Sequence, residues 1–76
     1  MNPIRAEKLR ARVADLENEI SRIESEIGEL QESLVANSKN HQQSAGIVTR
    51  MEHLRAAAED HEQEWAQLTE KLESEA

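Results

Sequence analysis

The chain has no cysteine, one proline, two glycines and one aromatic residue among its 76 residues. Without cysteine, neither a disulfide framework nor a thiolate metal site can form. A single aromatic, Trp65, cannot build the stacking platforms that bind single-stranded nucleic acid. The shortage of glycine and proline leaves few tight turns, which argues against an all-β fold.

Long apolar runs are also missing from the sequence. No stretch approaches the ~20 apolar residues that cross a bilayer, and no signal-peptide core follows Met1. The net charge is −7, which opposes binding of nucleic acid over the whole surface. We therefore expect a cytoplasmic protein that does not contact a membrane, with at most one small domain.

Apolar residues in the first half of the chain recur at alternating steps of four and three residues. This heptad spacing is typical of a coiled-coil helix, whereas a strand would need a period of two. Asn2 followed by Pro3 is a strong start signal, because asparagine caps a helix and proline suits its first position. We predict a helix over about 3–36. Its seam is formed by Leu9, Val13, Leu16, Ile20, Ile23, Ile27, Leu30 and Leu34.

The second half of the chain repeats the same spacing and predicts a second helix over about 44–75. The two patterns are out of phase, so one continuous helix cannot contain both. Between them lies a polar connection, 37–43, rich in residues that favour turns and caps. The seam of the second helix is formed by Ile47, Met51, Leu54, Ala58, His61, Trp65, Leu68 and Leu72.

Two helices joined by so short a connection fold back on each other. The register that pairs Leu34 with Ile47 and Leu9 with Leu72 leaves no apolar layer unpaired. The sequence therefore predicts an all-α protein, an antiparallel two-helix coiled-coil hairpin formed as one domain by residues 1–76. The residues expected to pack the hairpin are Leu16, Ile20, Ile23, Ile27, Leu30, Leu54, His61, Trp65 and Leu68.

Charge is distributed unevenly along this hairpin. Acids are concentrated in its shaft, whereas residues 35–50, at the tip, contain Lys39 and Arg50 and no acid. The predicted register also brings the like-charged Glu19 and Glu64 close together. Surface charge pairs contribute only tenths of a kcal/mol, so the apolar layers decide the register.

Residues that could carry chemistry are few. His61 faces Ile20 in the seam. One interpretation is a pH switch or metal ligand, and the other is a polar residue that sets the register; we favour the second. Trp65 faces Leu16, and we favour a packing anchor over a ligand contact. No two histidines have the i, i+4 spacing of a helical zinc site, and no glycine-rich phosphate loop occurs. We predict no catalytic, cofactor or metal site and no enzyme activity.

Several short motifs together resemble one family. Asn2-Pro3 opens the chain before a Lys/Arg-rich turn, and Trp65-x-x-Leu68 stands near the end of the second helix. Over about residues 2–73 the sequence resembles the C-terminal coiled-coil domain of ABC-F ATPases, although the loop lacks the aromatic residue and the Asp-Pro that are common in that family. The other matching motifs are Leu16-Glu17-Asn18-Glu19-Ile20, Ile23-Glu24-Ser25-Glu26-Ile27 and Met51-Glu52-His53-Leu54.

The resemblance implies an accessory hairpin that helps a parent ATPase to engage the ribosome or DNA. The ATPase motifs are absent here, so ATP hydrolysis would belong to the parent domains. The tip would make the contact, through Lys39, Asn40, His41 and Arg50. The alternative is a structural module that forms a helical bundle with a protein partner or with itself as a homo-oligomer.

Overall fold

The computed structural model describes residues 2–75, which form two long helices joined by a short turn. Helix α1 spans Pro3–Ala36 and helix α2 spans His41–Glu75. The molecule measures 56 × 14 × 13 Å, so the two helices lie side by side along nearly their whole length. This architecture confirms the prediction of an all-α helical hairpin.

The first helix has the ends that the sequence predicts. The Asn2 side chain accepts a hydrogen bond from the Ile4 N–H at 2.9 Å, and Pro3 occupies the first helical position. Because the first N–H groups of a helix have no partner inside it, this cap stabilises the start of α1. At the other end, the Asn37 side-chain amide donates to the Ser33 carbonyl oxygen at 2.8 Å.

The second helix begins at His41, three residues before the predicted start. The connection is therefore 37–40 rather than 37–43. Asn40 is the cause, because its side-chain oxygen accepts a hydrogen bond from the Gln43 N–H at 3.1 Å. This cap makes the three polar residues that follow Asn40 the first turn of α2, although their composition suggested a loop.

The buried core lies along the facing sides of the two helices. Leu16 is its most buried member, with 1% of its surface exposed. Most of the remaining predicted packing residues are half-buried. Each helix is covered by its partner on the facing side, while the flanks of the seam stay open to solvent. The buried residues are Ala6, Val13, Leu16, Ile23, Met51 and Leu54, and the half-buried members of the predicted set are Ile20, Ile27, Leu30, His61 and Leu68.

Trp65, which the sequence predicts as a packing anchor, is only partly covered by the opposite helix. The side chain occupies a seam position, yet 37% of the residue surface remains exposed. An indole is larger than the aliphatic side chains elsewhere in the seam, so α1 covers only part of it. Within residues 2–75, no third helix covers the part that extends beyond α1.

Candidate functional site

The turn at the tip is closed by its own hydrogen bonds. The Asn40 N–H donates to the Asn37 carbonyl oxygen at 2.9 Å, and the Ser44 hydroxyl donates to the same oxygen at 2.9 Å. The Ser38 N–H donates to the Val35 carbonyl oxygen at 3.4 Å. Because its backbone groups have these partners, the turn is an ordered platform for the side chains that it carries.

Three of the four predicted contact residues lie together on this turn. Lys39, Asn40 and His41 are consecutive and exposed at the end of the hairpin. The Asn40 side-chain oxygen is engaged in capping α2, which leaves its amide NH2 group as a donor. The turn therefore presents donor groups and one positive charge, which suit an acceptor-rich partner.

Arg50 lies farther along α2, where it lines an open groove together with Asn40 and contacts an acid of α1. Its Nε donates to the Glu26 Oε2 at 2.9 Å, so an acid of the shaft offsets its charge. Sequence reasoning missed this pair because it weighed the acid-free composition of 35–50 and not the residues opposite on α1. The flanking heptad positions of Glu26 and Arg50 were the signal that could have identified it.

The electrostatic field at the tip of the hairpin differs from the field along the shaft. Residues 33–49 contain no Asp or Glu, and Lys39 carries the single formal charge in that stretch when histidine is neutral. Val35 and Val48, near the tip, are 77% and 40% exposed. An anion can thus approach the end of the hairpin without meeting the acids that flank the seam farther along.

A second cross-helix ion pair lies two heptads from the first. Arg12 donates through Nε to the Glu64 Oε2 at 2.6 Å and through Nη2 to Oε1 at 2.9 Å. From the Arg50–Glu26 pair to the Arg12–Glu64 pair, the position on α1 moves back by two heptads while the position on α2 moves forward by two heptads. The helices therefore run antiparallel with one constant heptad register between the two ion pairs.

Glu19 lies midway between these two pairs on α1. The common spacing places Ala57 opposite it, so Glu19 accepts a hydrogen bond from Arg22 of its own helix at 2.6 Å. The predicted clash between Glu19 and Glu64 is thus relieved, because each carboxylate binds an arginine. Heptad positions indicate which residues are neighbours, whereas these two pairs depend on the reach of the long arginine side chains.

The Arg12–Glu64 and Arg22–Glu19 ion pairs lower the pKa values of their carboxylates. The hydrogen bonds from Arg12 lower the pKa of Glu64, and the positive charge of Arg12 lowers it further, while partial desolvation opposes the shift. The hydrogen bond and the charge of Arg22 lower the pKa of Glu19 in the same way. His61 itself is half-buried in the seam beside these two glutamates.

We predict that replacing Glu64 with glutamine lowers the melting temperature slightly at pH 7 but not in acid. The pKa of Glu64 is lower in the folded chain than in the unfolded chain, so its contribution to stability is present above the unfolded pKa of about 4.3. That contribution is lost as the pH falls through the lower, folded pKa. Thermal melts followed by circular dichroism at pH 7 and at about pH 3 test this.

The matched control for this prediction is Glu32→Gln, which removes the same charge from an exposed position on α1. We expect the control to show a smaller pH dependence than Glu64→Gln. An equal loss of melting temperature for Glu64→Gln at both pH values would contradict the prediction, since the ion pair would then not be the cause.

An open groove runs along one side of the shaft beside the exposed tryptophan. We call it the Trp65 groove. Its apolar lining includes Trp65 and Ile20, and its carboxylates come from both helices. The residues that line it are Glu17, Ile20, Ser21, Glu24, Glu62, Trp65 and Ala66.

No family model matches the sequence, and the searches of curated proteins and of solved structures found no match either. Within residues 2–75, neither helix is apolar enough over sufficient length to cross a membrane. In the same part of the chain, no group of three or more histidine, aspartate or glutamate side chains could hold a metal ion.

Proposed function

We propose that this chain is a non-catalytic coiled-coil accessory domain of an ABC-F type ATPase, and that its tip engages nucleic acid, either DNA or ribosomal RNA. The observation that supports the proposal is the acid-free end of the hairpin, where an ordered turn carries Lys39, Asn40 and His41. The parent domains would supply ATP hydrolysis, and the complex would act in the cytoplasm.

The proposed contact has a simple electrostatic basis. The Lys39 ammonium would meet a phosphate oxygen, while the Asn40 amide and His41 imidazole would donate hydrogen bonds nearby. The acids of the shaft would repel the rest of the phosphate backbone, so contact would be end-on and would involve few phosphates. Such a contact positions a larger assembly and does not read sequence.

Lys39→Glu is the variant that tests this proposal. We expect it to weaken binding of the chain to ribosomes or to duplex DNA by about three- to tenfold at ~50 mM salt, because it reverses the central charge of the tip. Binding should weaken further at ~200 mM salt. Arg50→Gln should have a smaller effect, since Glu26 already offsets the charge of Arg50.

The matched control is Lys71→Glu, which makes the same charge change near the opposite end of the hairpin. Both variants have a net charge two units more negative than the parent chain, and both positions are exposed. If the two variants weakened binding equally, general repulsion and not the tip would control association, and the proposal would fail. Circular dichroism at 222 nm checks that both variants remain helical.

A second candidate is a module that associates through its shaft. The observation that favours it is the exposure of Trp65 at a seam position, which leaves apolar surface uncovered. Sedimentation velocity over a range of concentrations tests self-association directly. A monomer at every concentration would exclude the homo-oligomer and leave a different protein as the partner.

A further inference from the structure

We propose that the Trp65 groove is a docking site for a basic amphipathic helix of a partner protein, which packs there as a third helix. The groove lies on the side of the shaft, away from the turn that carries Lys39. This inference does not depend on the proposed contact between the tip and nucleic acid, because the two surfaces share no residue.

Part of the apolar seam is left uncovered along the groove. Trp65 is 37% exposed and Ile20 is half-buried, although both occupy heptad positions that normally face a core. A third helix lying in this groove between α1 and α2 would cover both side chains from the side on which the groove leaves them open. Large aromatic side chains in such positions are the residue type that contributes most to binding at interfaces.

The charges along the groove decide which kind of helix would fit. Glu17 and Glu24 of α1 and Glu62 of α2 line the groove, and none of its lining residues is a lysine or arginine. A partner with Lys or Arg beside its apolar stripe would be attracted to these carboxylates and held in register. A second copy placed by a two-fold axis would bring the same carboxylates against each other, so the groove disfavours that pairing.

The length of the groove sets the size of the partner segment. From Glu17 to Glu24 the α1 side covers about two helical turns, or roughly 10 Å at 1.5 Å per residue. A partner helix of two to three turns would span it. Its apolar residues would follow the i, i+3 or i+4, i+7 spacing of one face, and the central one would contact Trp65.

The experiment uses the full chain and a synthetic helical peptide of about 18 residues. The peptide carries leucine at the a and d heptad positions and lysine at the flanking positions, and a second peptide has glutamate in place of lysine. Trp65 is the single tryptophan of the chain, so its emission reports directly on the groove. We expect a blue shift with the lysine peptide and none with the glutamate peptide, because docking removes the indole from water.

A pair of charge-matched variants tests the site. Removing the carboxylates of the groove should weaken binding of the lysine peptide at least tenfold by calorimetry, whereas removing three carboxylates elsewhere should change it less than about twofold. Trp65→Ala should also weaken binding at least tenfold. The groove variant is Glu17→Gln with Glu24→Gln and Glu62→Gln, and the control variant is Glu32→Gln with Glu59→Gln and Glu73→Gln.

Two results would overturn the proposal. Equal weakening by the groove variant and the control variant would mean that the peptide responds to net charge and not to this site. A concentration-dependent blue shift of Trp65 without peptide would assign the groove to a second copy of the chain. The groove variant keeps every seam residue, so it remains informative even if Trp65→Ala loses helical structure.

Discussion

Replacing Leu16 with alanine is expected to lower the free energy of unfolding by about 2–5 kcal/mol. Leu16 is 1% exposed, so the substitution removes fully buried apolar surface and leaves a cavity. A single core in so small a domain rarely supplies more than about 3–5 kcal/mol, and this loss is of the same size. We therefore expect the variant to be largely unfolded at 25 °C.

Circular dichroism at 222 nm measures this directly, because helices in proteins take most of their stability from packing of the apolar face and lose helicity when the hairpin opens. The matched control is Leu72→Ala, a half-buried leucine of the same seam near the open end. We expect it to melt well above Leu16→Ala. If the two variants had the same melting temperature, the centre of the seam would contribute no more to stability than its end.

Replacing both glycines with alanine is expected to stabilise the hairpin by about 2 kcal/mol, since each mid-helix Gly→Ala change contributes about 0.8–1 kcal/mol. Gly28 and Gly46 lie inside α1 and α2, and neither has a positive φ angle. A Cβ atom added at either position meets no atom within 4 Å, so no clash offsets the gain. For a domain of this size, the melting temperature should rise by roughly 10 °C.

The control for the glycine variants is Ala45→Gly, which makes the reverse change next to Gly46 at an exposed position of α2. It should lower the melting temperature by about as much as Gly46→Ala raises it. An unchanged melting temperature in the double variant would show that helix propensity does not limit stability. Melts of the two single variants separate the contribution of Gly28 from that of Gly46.

The two proposed surfaces of the hairpin are chemically opposite. The tip has no carboxylate and presents Lys39, whereas the Trp65 groove is lined by three glutamates and no base. Phosphates are therefore repelled from the groove, and a basic peptide meets no carboxylate that would attract it at the tip. Lys39→Glu should leave binding of the lysine peptide unchanged, so each proposal can fail without affecting the other.

The local features of this fold follow from the sequence alone. Apolar residues spaced by four and three residues predict two helices, and Asn2 with Pro3 predicts where the first one begins. These signals involve residues that are neighbours along the chain, within one or two helical turns. Hydrogen bonds and side-chain contacts over that distance do not depend on the position of the other helix, so α1 has the predicted ends.

The remaining features required the tertiary structure. Arg50 binds Glu26 because the register sets those flanking positions within reach across the hairpin, which the composition of the tip alone did not show. Trp65 remains partly exposed because the space for an indole depends on the side chains of the opposite helix, and residues 2–75 form no third helix that would cover it. The periodicity of the sequence determined that the helices form. The burial of side chains between the helices, and the ion pairs that reach across them, decided which groups remain available to a partner.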